Sequence, residues 1–327
     1  MSRAMLIVTV AAACYAICNV ALAIAVAIVW RQSPHRWQGN VAAVRARRLL
    51  WLRAAPSGLA AFLTGAIVLP SFAMLEPRGG SEAVGPMLIA FALVGALQLA
   101  AAIVVATVTI MRTRAIERCW LRSAADLVVH PPAGVPAFAI DSLTPVVALV
   151  GVFSPKLVAA HRVIAACSGH ELNAIVAHER GHLASRDNLK RWLLNCAPDA
   201  LRCTPIHHEI VRAWHDAAED AADDVASAGD VRARTDLAAL LIKIARLATD
   251  PVRAGVTVSP FVEPDGLERR VHRLIAETAQ PAAPRPGVRF GLLGALVLTL
   301  IASATASTPD AVWAIYDAVE TLVAFAR

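Results

Sequence analysis

Apolar residues run almost unbroken through four stretches of this chain, at roughly 4–30, 56–75, 84–111 and 288–307. Each approaches or exceeds the about 20 residues that a helix needs to cross a bilayer. The first is too long and too uniformly apolar for the core of a signal peptide. It reads as a retained span, with Trp30 at its interfacial end. The second is the shortest and carries Pro70, and its alternative is a buried or re-entrant segment.

Between the third and fourth stretches the pattern changes. Pro131, Pro132, Gly134 and Pro136 mark a loop, and Ala137–Ile140 and Val146–Phe153 then read as strands. Lys156 to Cys167 is a strand or a short helix. From Ser168 the period becomes helical: Leu172, Ile175, Val176 and Leu183 recur on one face, and Ser168-Gly169-His170-Glu171 forms a capping box ahead of them. Thr204-Pro205 opens another helix, with Ile206, Ile210, Trp214, Ala218, Ala221 and Val225 as its apolar stripe and Gly229 as its stop. Further helices are expected at 236–248, with Thr235 as N-cap, and at 267–276, with a loop at 251–265 between them. The expected architecture is a multi-pass α-helical membrane protein of four spans carrying an inserted α+β domain. Its parts are three spans in 1–111 with an arginine-rich cytoplasmic loop at 31–55, the inserted domain at 112–287, the fourth span at 288–307 and a short extracytoplasmic tail at 308–327.

Composition agrees with the membrane reading. Of 327 residues, 57% are hydrophobic and 17% charged, and the mean hydropathy is +0.57. Arginine placement sets the orientation. Arg31, Arg36, Arg45, Arg47, Arg48 and Arg53 lie between the first two stretches with no acidic residue, and Arg112, Arg114, Arg118 and Arg122 follow the third. The positive-inside rule puts these segments in the cytoplasm and both termini outside, as for a bacterial plasma-membrane protein. The net charge of +6 therefore points to anionic lipid headgroups rather than nucleic acid. No nucleic-acid-binding motif is present, so direct nucleic-acid binding is not expected. The six cysteines have no paired zinc-finger spacing.

The chemistry is concentrated in His178-Glu179-Arg180-Gly181-His182. On a helix, residues four apart share a face, so two imidazoles at this spacing can hold one ion with Glu179 beside it. Gly181 is a weak point in a helix, and it suits a place where a substrate or another element passes close. A catalytic zinc takes three protein ligands and leaves one position open. Glu219, in Glu219-Asp220-Ala221-Ala222-Asp223, lies off the apolar stripe and can supply the third ligand. Asp223, one turn on, can accept the spare imidazole N–H of a zinc histidine. Asp216, Asp220 and Asp224 read as a solvated acidic face. His215, Arg212 and His208 extend the Glu219 face and are candidate cleft residues. With one zinc per chain, Glu179 is placed to act as the general base for water attack on a peptide carbonyl. The strands ahead of the zinc helix could offer an edge for an extended peptide.

The stretches F153-S-P-K-L-V158, H170-E-L-N-A-I-V-A-H-E-R-G-H-L-A-S-R-D-N188, T204-P-I-H-H208, E219-D-A-A-D223 and R269-R-V-H-R-L274 resemble the BlaR/MecR-type membrane metallopeptidases. The resemblance implies that the inserted α+β domain is a cytoplasmic, zincin-like metallopeptidase domain between the third and fourth spans. It implies His178, His182 and Glu219 as ligands, Glu179 as catalytic base and Asp223 as support. It also implies cleavage of the protein itself, or action on a winged-helix transcriptional repressor of the BlaI/MecI type. Only residues 308–327 follow the last apolar stretch, so β-lactam sensing through an extracellular penicillin-binding domain is not expected. Ala222 stands where many members carry cysteine, which is the E-x-x-A-D form of the related HtpX-like quality-control peptidases. Those relatives supply one alternative. A non-catalytic membrane receptor with a structural zinc supplies another.

Overall fold

The computed structural model describes residues 2–32, 41–75, 84–122, 124–126, 135–142, 146–247, 258–260, 266–276, 313–314 and 316–321. The expected fourth span at 288–307 lies outside the described residues, as does the loop at 131–134.

Among the described residues, three helices are long and apolar enough to cross a membrane. The first is α1 (Arg3–Gln32). The second begins earlier than the hydropathy suggests. α2 (Ala42–Phe62) continues through a π-helical turn (Leu63–Val68) into α3 (Leu69–Leu75). Arg45, Arg47, Arg48 and Arg53, expected in a loop, are therefore helical. Their polarity had masked the helix, which buries Ala46, Leu49 and Arg53 against protein. The π turn has a local cause. Pro70 has no N–H to donate and its ring crowds the carbonyl four residues back in the ordinary α register, and the widened turn just ahead of it lets Leu69 N–H donate to Thr64 O.

The third long helix is α4 (Pro86–Leu121). It crosses α1 at Gly95, where an added Cβ would lie 2.2 Å from Ala12 O. Small residues let apolar helices approach this closely where there is no hydrophobic force to drive them together. In the C-terminal segment, Val319 packs on Leu6, Val10, Phe72 and Leu88, at the end of the bundle where α1 and α4 begin.

Past α4 comes a five-stranded sheet of β1 (Ala125–Asp126), β2 (Ala137–Ile140), β3 (Val147–Val150), β4 (Lys156–Ala160) and β5 (Val258–Pro260), in the order β1-β2-β4-β3-β5. β2 and β4 are parallel, and the other pairs are antiparallel. Side chains alternate across it. Val147 and Leu149 face a core with Leu157, Ile175, Leu241 and Ile244. Ala148 and Val150 face Ile116, Trp120 and Leu121 at the end of α4. The sheet is thus clamped between the long helix α4 and the helices that carry the chemistry. β3 has a neighbour on both sides, with β5 paired at Leu149↔Ser259. It is not the free edge that an incoming peptide would need.

The helices after the sheet are α5 (His161–Ala166), α6 (Gly169–Ser185), α7 (Asp187–Cys196), a 3-10 turn (Ala200–Cys203), α8 (Pro205–Ser227), α9 (Val231–Leu247) and α10 (Leu267–Ala276). α10 matches its expected bounds. α9 starts ahead of Thr235, because Asp230 Oδ1 accepts from Arg232 N, while Thr235 Oγ1 donates to Val231 O inside the helix. On α8 the stripe holds at Ile206, Ile210, Trp214 and Ala218, but Val225 is 55% exposed. Asp220, expected in solvent, is 1% exposed. It pairs with Arg45 of α2 and, at 2.6 Å, with Arg269 of α10.

Gly95→Leu is expected to force α1 and α4 apart at a cost of about 1–3 kcal/mol. A lowered unfolding midpoint of the detergent-solubilised protein, against an unchanged or slightly raised midpoint for Gly58→Ala, would show it. Gly58 has nothing within 4 Å of its added Cβ.

Candidate metal centre

α6 starts as the sequence suggests. Ser168 Oγ accepts from Glu171 N at 3.3 Å, and Ser168 N donates to Glu171 Oε2 at 2.7 Å. Lys243 of α9 holds the same carboxylate at 2.8 Å. One turn short of its end the helix meets α8 at Gly181, whose added Cβ would lie 3.0 Å from Ala222 Cα. The element passing close to Gly181 is therefore α8, and the contact brings Glu219 over the two histidines.

His178, His182 and Glu219 are all buried, and their candidate ligand atoms lie within 4.8 Å of one another. His178 Nε2 and His182 Nε2 are 3.1 Å apart, His182 Nε2 is 3.4 Å from Glu219 Oε1, and His178 Nε2 is 3.5 Å from Glu219 Oε2. Ligands at about 2.1 Å around a tetrahedral ion are about 3.4 Å from each other, so the two imidazole nitrogens and the Glu219 carboxylate, which meets them through different oxygens, lie at spacings close to those a zinc-sized ion needs.

The far nitrogens are fixed by carboxylates. His178 Nδ1 lies 3.0 Å from Asp223 Oδ1, and His182 Nδ1 lies 2.9 Å from Asp187 Oδ2. Both pairs favour the tautomer whose Nε2 lone pair points at the shared centre. Asp223 was legible from its spacing. Asp187 was not, because it follows a break in helical period. Arg186 sits in the left-handed region (φ 54) as the C-cap of α6 and the N-cap of α7. That one residue turns Asp187 back beneath His182.

Two buried arginines complete the cluster and were also missed. Arg191 Nη2 is 3.2 Å from Glu219 Oε1, and Arg270 Nη1 is 3.1 Å from Glu219 Oε2. Arg270 also grips Asp223 with Nε at 2.9 Å and Nη2 at 2.6 Å. The available signal is an arginine on the inner face of an amphipathic helix. Four carboxyl groups (Glu179, Asp187, Glu219, Asp223) and two guanidiniums (Arg191, Arg270) are buried here, so acidic groups outnumber basic ones around the two histidines. Lys190, at 3.3 Å from Asp187 Oδ1, screens that group from the rim.

The electrostatics say the same. Burial pushes the Glu179 carboxyl up to about 7, against the opposing pull of His182 and His178. Neither of its oxygens meets a hydrogen-bond donor. Burial disfavours charge on His182, yet Glu219 and Asp187 carry it up to about 10, so the pocket demands a positive charge at its centre. Glu219 stays well below the usual carboxylate range despite its burial, held there by His182 and Arg270.

The three candidate cleft residues separate. Burial and Arg191 hold His215 down to about 3, as a neutral imidazole near Glu219 and His182, with its ring edge-on to Trp214 at 5.1 Å. Arg212 and His208 are exposed, and His208 stacks edge-on to His207 at 5.0 Å. A cleft of about 370 Å³ opens beside His182 and Asp187, walled by Leu149, Phe153, Pro155 and Leu189.

Two imidazoles and a carboxylate around one point, with a buried glutamate between the imidazoles, define a peptidase-type metal centre on a protein with three candidate membrane helices. The profile of the BlaR1 peptidase M56 family matches residues 84–274, more than half of the chain. The chain belongs to this family of membrane metallopeptidases. No curated protein matches it.

Asp187→Ala is expected to weaken metal binding by about 10–100-fold, as loss of a carboxylate behind a ligating histidine does elsewhere. Competition with a chromophoric chelator for Zn2+ measures this, with Asp223→Ala as the parallel case.

Proposed function

We propose that the protein is a zinc-dependent endopeptidase of the membrane that cuts itself or acts on a winged-helix repressor of the BlaI/MecI type. The observation that carries the reading is the convergence of His178, His182 and Glu219 at tetrahedral spacing beside a buried Glu179 that accepts no hydrogen bond. The position of H-E-x-x-H after three candidate spans, together with the family profile, favours the regulatory assignment over an HtpX-like quality-control one. The domain at 112–287 is placed on the cytoplasmic side, with Arg47 and Arg48 near anionic headgroups. A fourth span and a tail on the outer side complete the arrangement.

A bound zinc ion supplies a Lewis acid and lowers the pKa of water at the site. Glu179 takes the proton from the attacking water as the new C–O bond forms at the substrate carbonyl, and returns it to the nitrogen as the C–N bond breaks. A carboxyl held near 7 suits both steps. Asp223 and Asp187 keep the imidazoles aimed while charge shifts. Neutral His215 is placed to donate toward the developing oxyanion. The cleft at Phe153 receives a substrate side chain. A structural zinc would call for a fourth protein ligand, and among the described residues the cluster contains three.

Glu179→Gln is expected to keep one zinc per chain and to lower peptide cleavage by at least about 10³-fold, in the range of a lost general base and its proton. Zinc content by atomic absorption, with the rate of cutting of a co-purified repressor, tests both parts. Equal cleavage by the variant would sink the enzyme reading, and cleavage of unfolded membrane proteins alone would favour the quality-control one.

A further inference from the structure

The turn between α7 and α8 is held by side chains from the middle of α1. Tyr15 Oη donates to Pro198 O at 2.6 Å, and Asn19 Nδ2 donates to the same oxygen at 3.1 Å. Ala200 N donates to Asn19 Oδ1 at 2.9 Å. Tyr15 and Asn19 are buried and straddle the midpoint of the apolar run 4–30. Arg31, at the charged end of α1, lies about 18 Å further along the helix. α7 gives a second depth mark. Trp192 Nε1 donates to Ala106 O at 3.3 Å, about 9 Å on the apolar side of Arg112 along α4.

Several polar groups at this level find partners within the protein, while Arg53 Nη2 and Asp199 Oδ1 make no hydrogen bond. Fully buried Arg53 of α2 pairs with Asp199 and donates through Nε to His207 Nδ1 at 2.8 Å. Leu201, Ile206 and Ile210 pack on Ala23 and Val26 of α1. Irregular backbone survives at membrane depth only when protein satisfies it, and a charge there needs its partner. A turn in water needs neither.

We propose that residues 197–204 form a re-entrant membrane segment, and that the adjoining surface of α7, with Leu193 and Phe153, lies among lipid acyl chains. Leu193 is 51% and Phe153 66% exposed, and Phe153 is edge-on to Trp192 at 5.6 Å. Both apolar side chains thus continue the lipid-facing surface of α4. Glu219 stands about 21 Å along α8 from Pro205. Half the hydrocarbon thickness is about 15 Å, so the metal centre sits at headgroup level. Its Phe153-walled cleft opens at the boundary. Given the peptidase reading, on which this last step rests, the site takes polypeptide segments lying along the membrane surface.

Two exposed native cysteines mark the two environments: Cys203 in the turn and Cys119 near the charged end of α4. The test uses unsealed membrane fragments, which admit solutes to both faces, and full-length variants that keep one cysteine each: Cys119, Cys203, Leu193→Cys and Val231→Cys. Val231, 59% exposed, lies past the outer end of α8. A charged maleimide should label Cys203 and Leu193→Cys at least about tenfold more slowly than Cys119 and Val231→Cys, because a charged reagent does not enter the acyl-chain region. A lipid-soluble maleimide should label all four. Labelling of Cys203 or Leu193→Cys by the charged reagent at the Cys119 rate overturns the insertion. So does failure of both reagents at either position, which would mean that protein covers the surface. Peptidase activity does not enter this test. Preference for a membrane-anchored over a detached form of the same peptide tests the substrate class separately, and equal rates would overturn it.

Discussion

The His–Glu distances in the candidate metal centre depend on how closely α6 and α8 pack at Gly181 and Ala222. The two histidines sit on one helix and the third ligand on the other, so separation of the axes by the width of a methyl group opens the His–Glu edges of the tetrahedron while leaving the His–His edge intact. Glycine weakens a helix interior by roughly 0.5–1 kcal/mol relative to alanine, and here that weakness is the condition for the site. Ala222 is the matching small residue on α8. Its place between Glu219 and Asp223 means that the two functional carboxylates flank the point of closest contact.

Around that contact, charge is arranged as a network rather than as pairs. Arg270 binds both Glu219 and Asp223. Arg191 meets the other oxygen of Glu219, and Asp220 is shared between α2 and α10. Burying so many charges is costly unless each is paired. The cations come from three elements besides α8 itself: α2, α7 and α10. α8 is therefore held by charge on the sides where it is not held by apolar packing, and it joins the long helices to the sheet-bearing half of the chain.

Much of this was legible beforehand, for identifiable reasons. The capping box at Ser168, the bounds of α10, and the pairings of His178 with His182 and Glu219 with Asp223 follow from spacing along single helices. Residues that act across elements were hidden. Asp187 works only because Arg186 adopts a left-handed conformation, which a sequence of ordinary helix formers does not announce. Arg191 and Arg270 look like solvent-facing charges until the helix they oppose is in place. The same blindness led Asp220 to be read as solvated and the arginines of α2 to be read as a loop. In each case polarity was taken as a sign of water, when it was a sign of a charged partner elsewhere in the fold.

Arg270 comes 92 positions after His178 in the chain, and this order matters in time. During synthesis the histidines, Glu219 and Asp223 all emerge before the guanidinium that pairs both carboxylates, and domains build from the N-terminal side as they emerge. A nascent chain has His178, His182 and Glu219 with Arg191 alone against the carboxylates, without the Arg270 clamp. The order of residues thus works as a delay: the centre becomes rigid only after α10 docks, when nearly the whole catalytic half has left the ribosome.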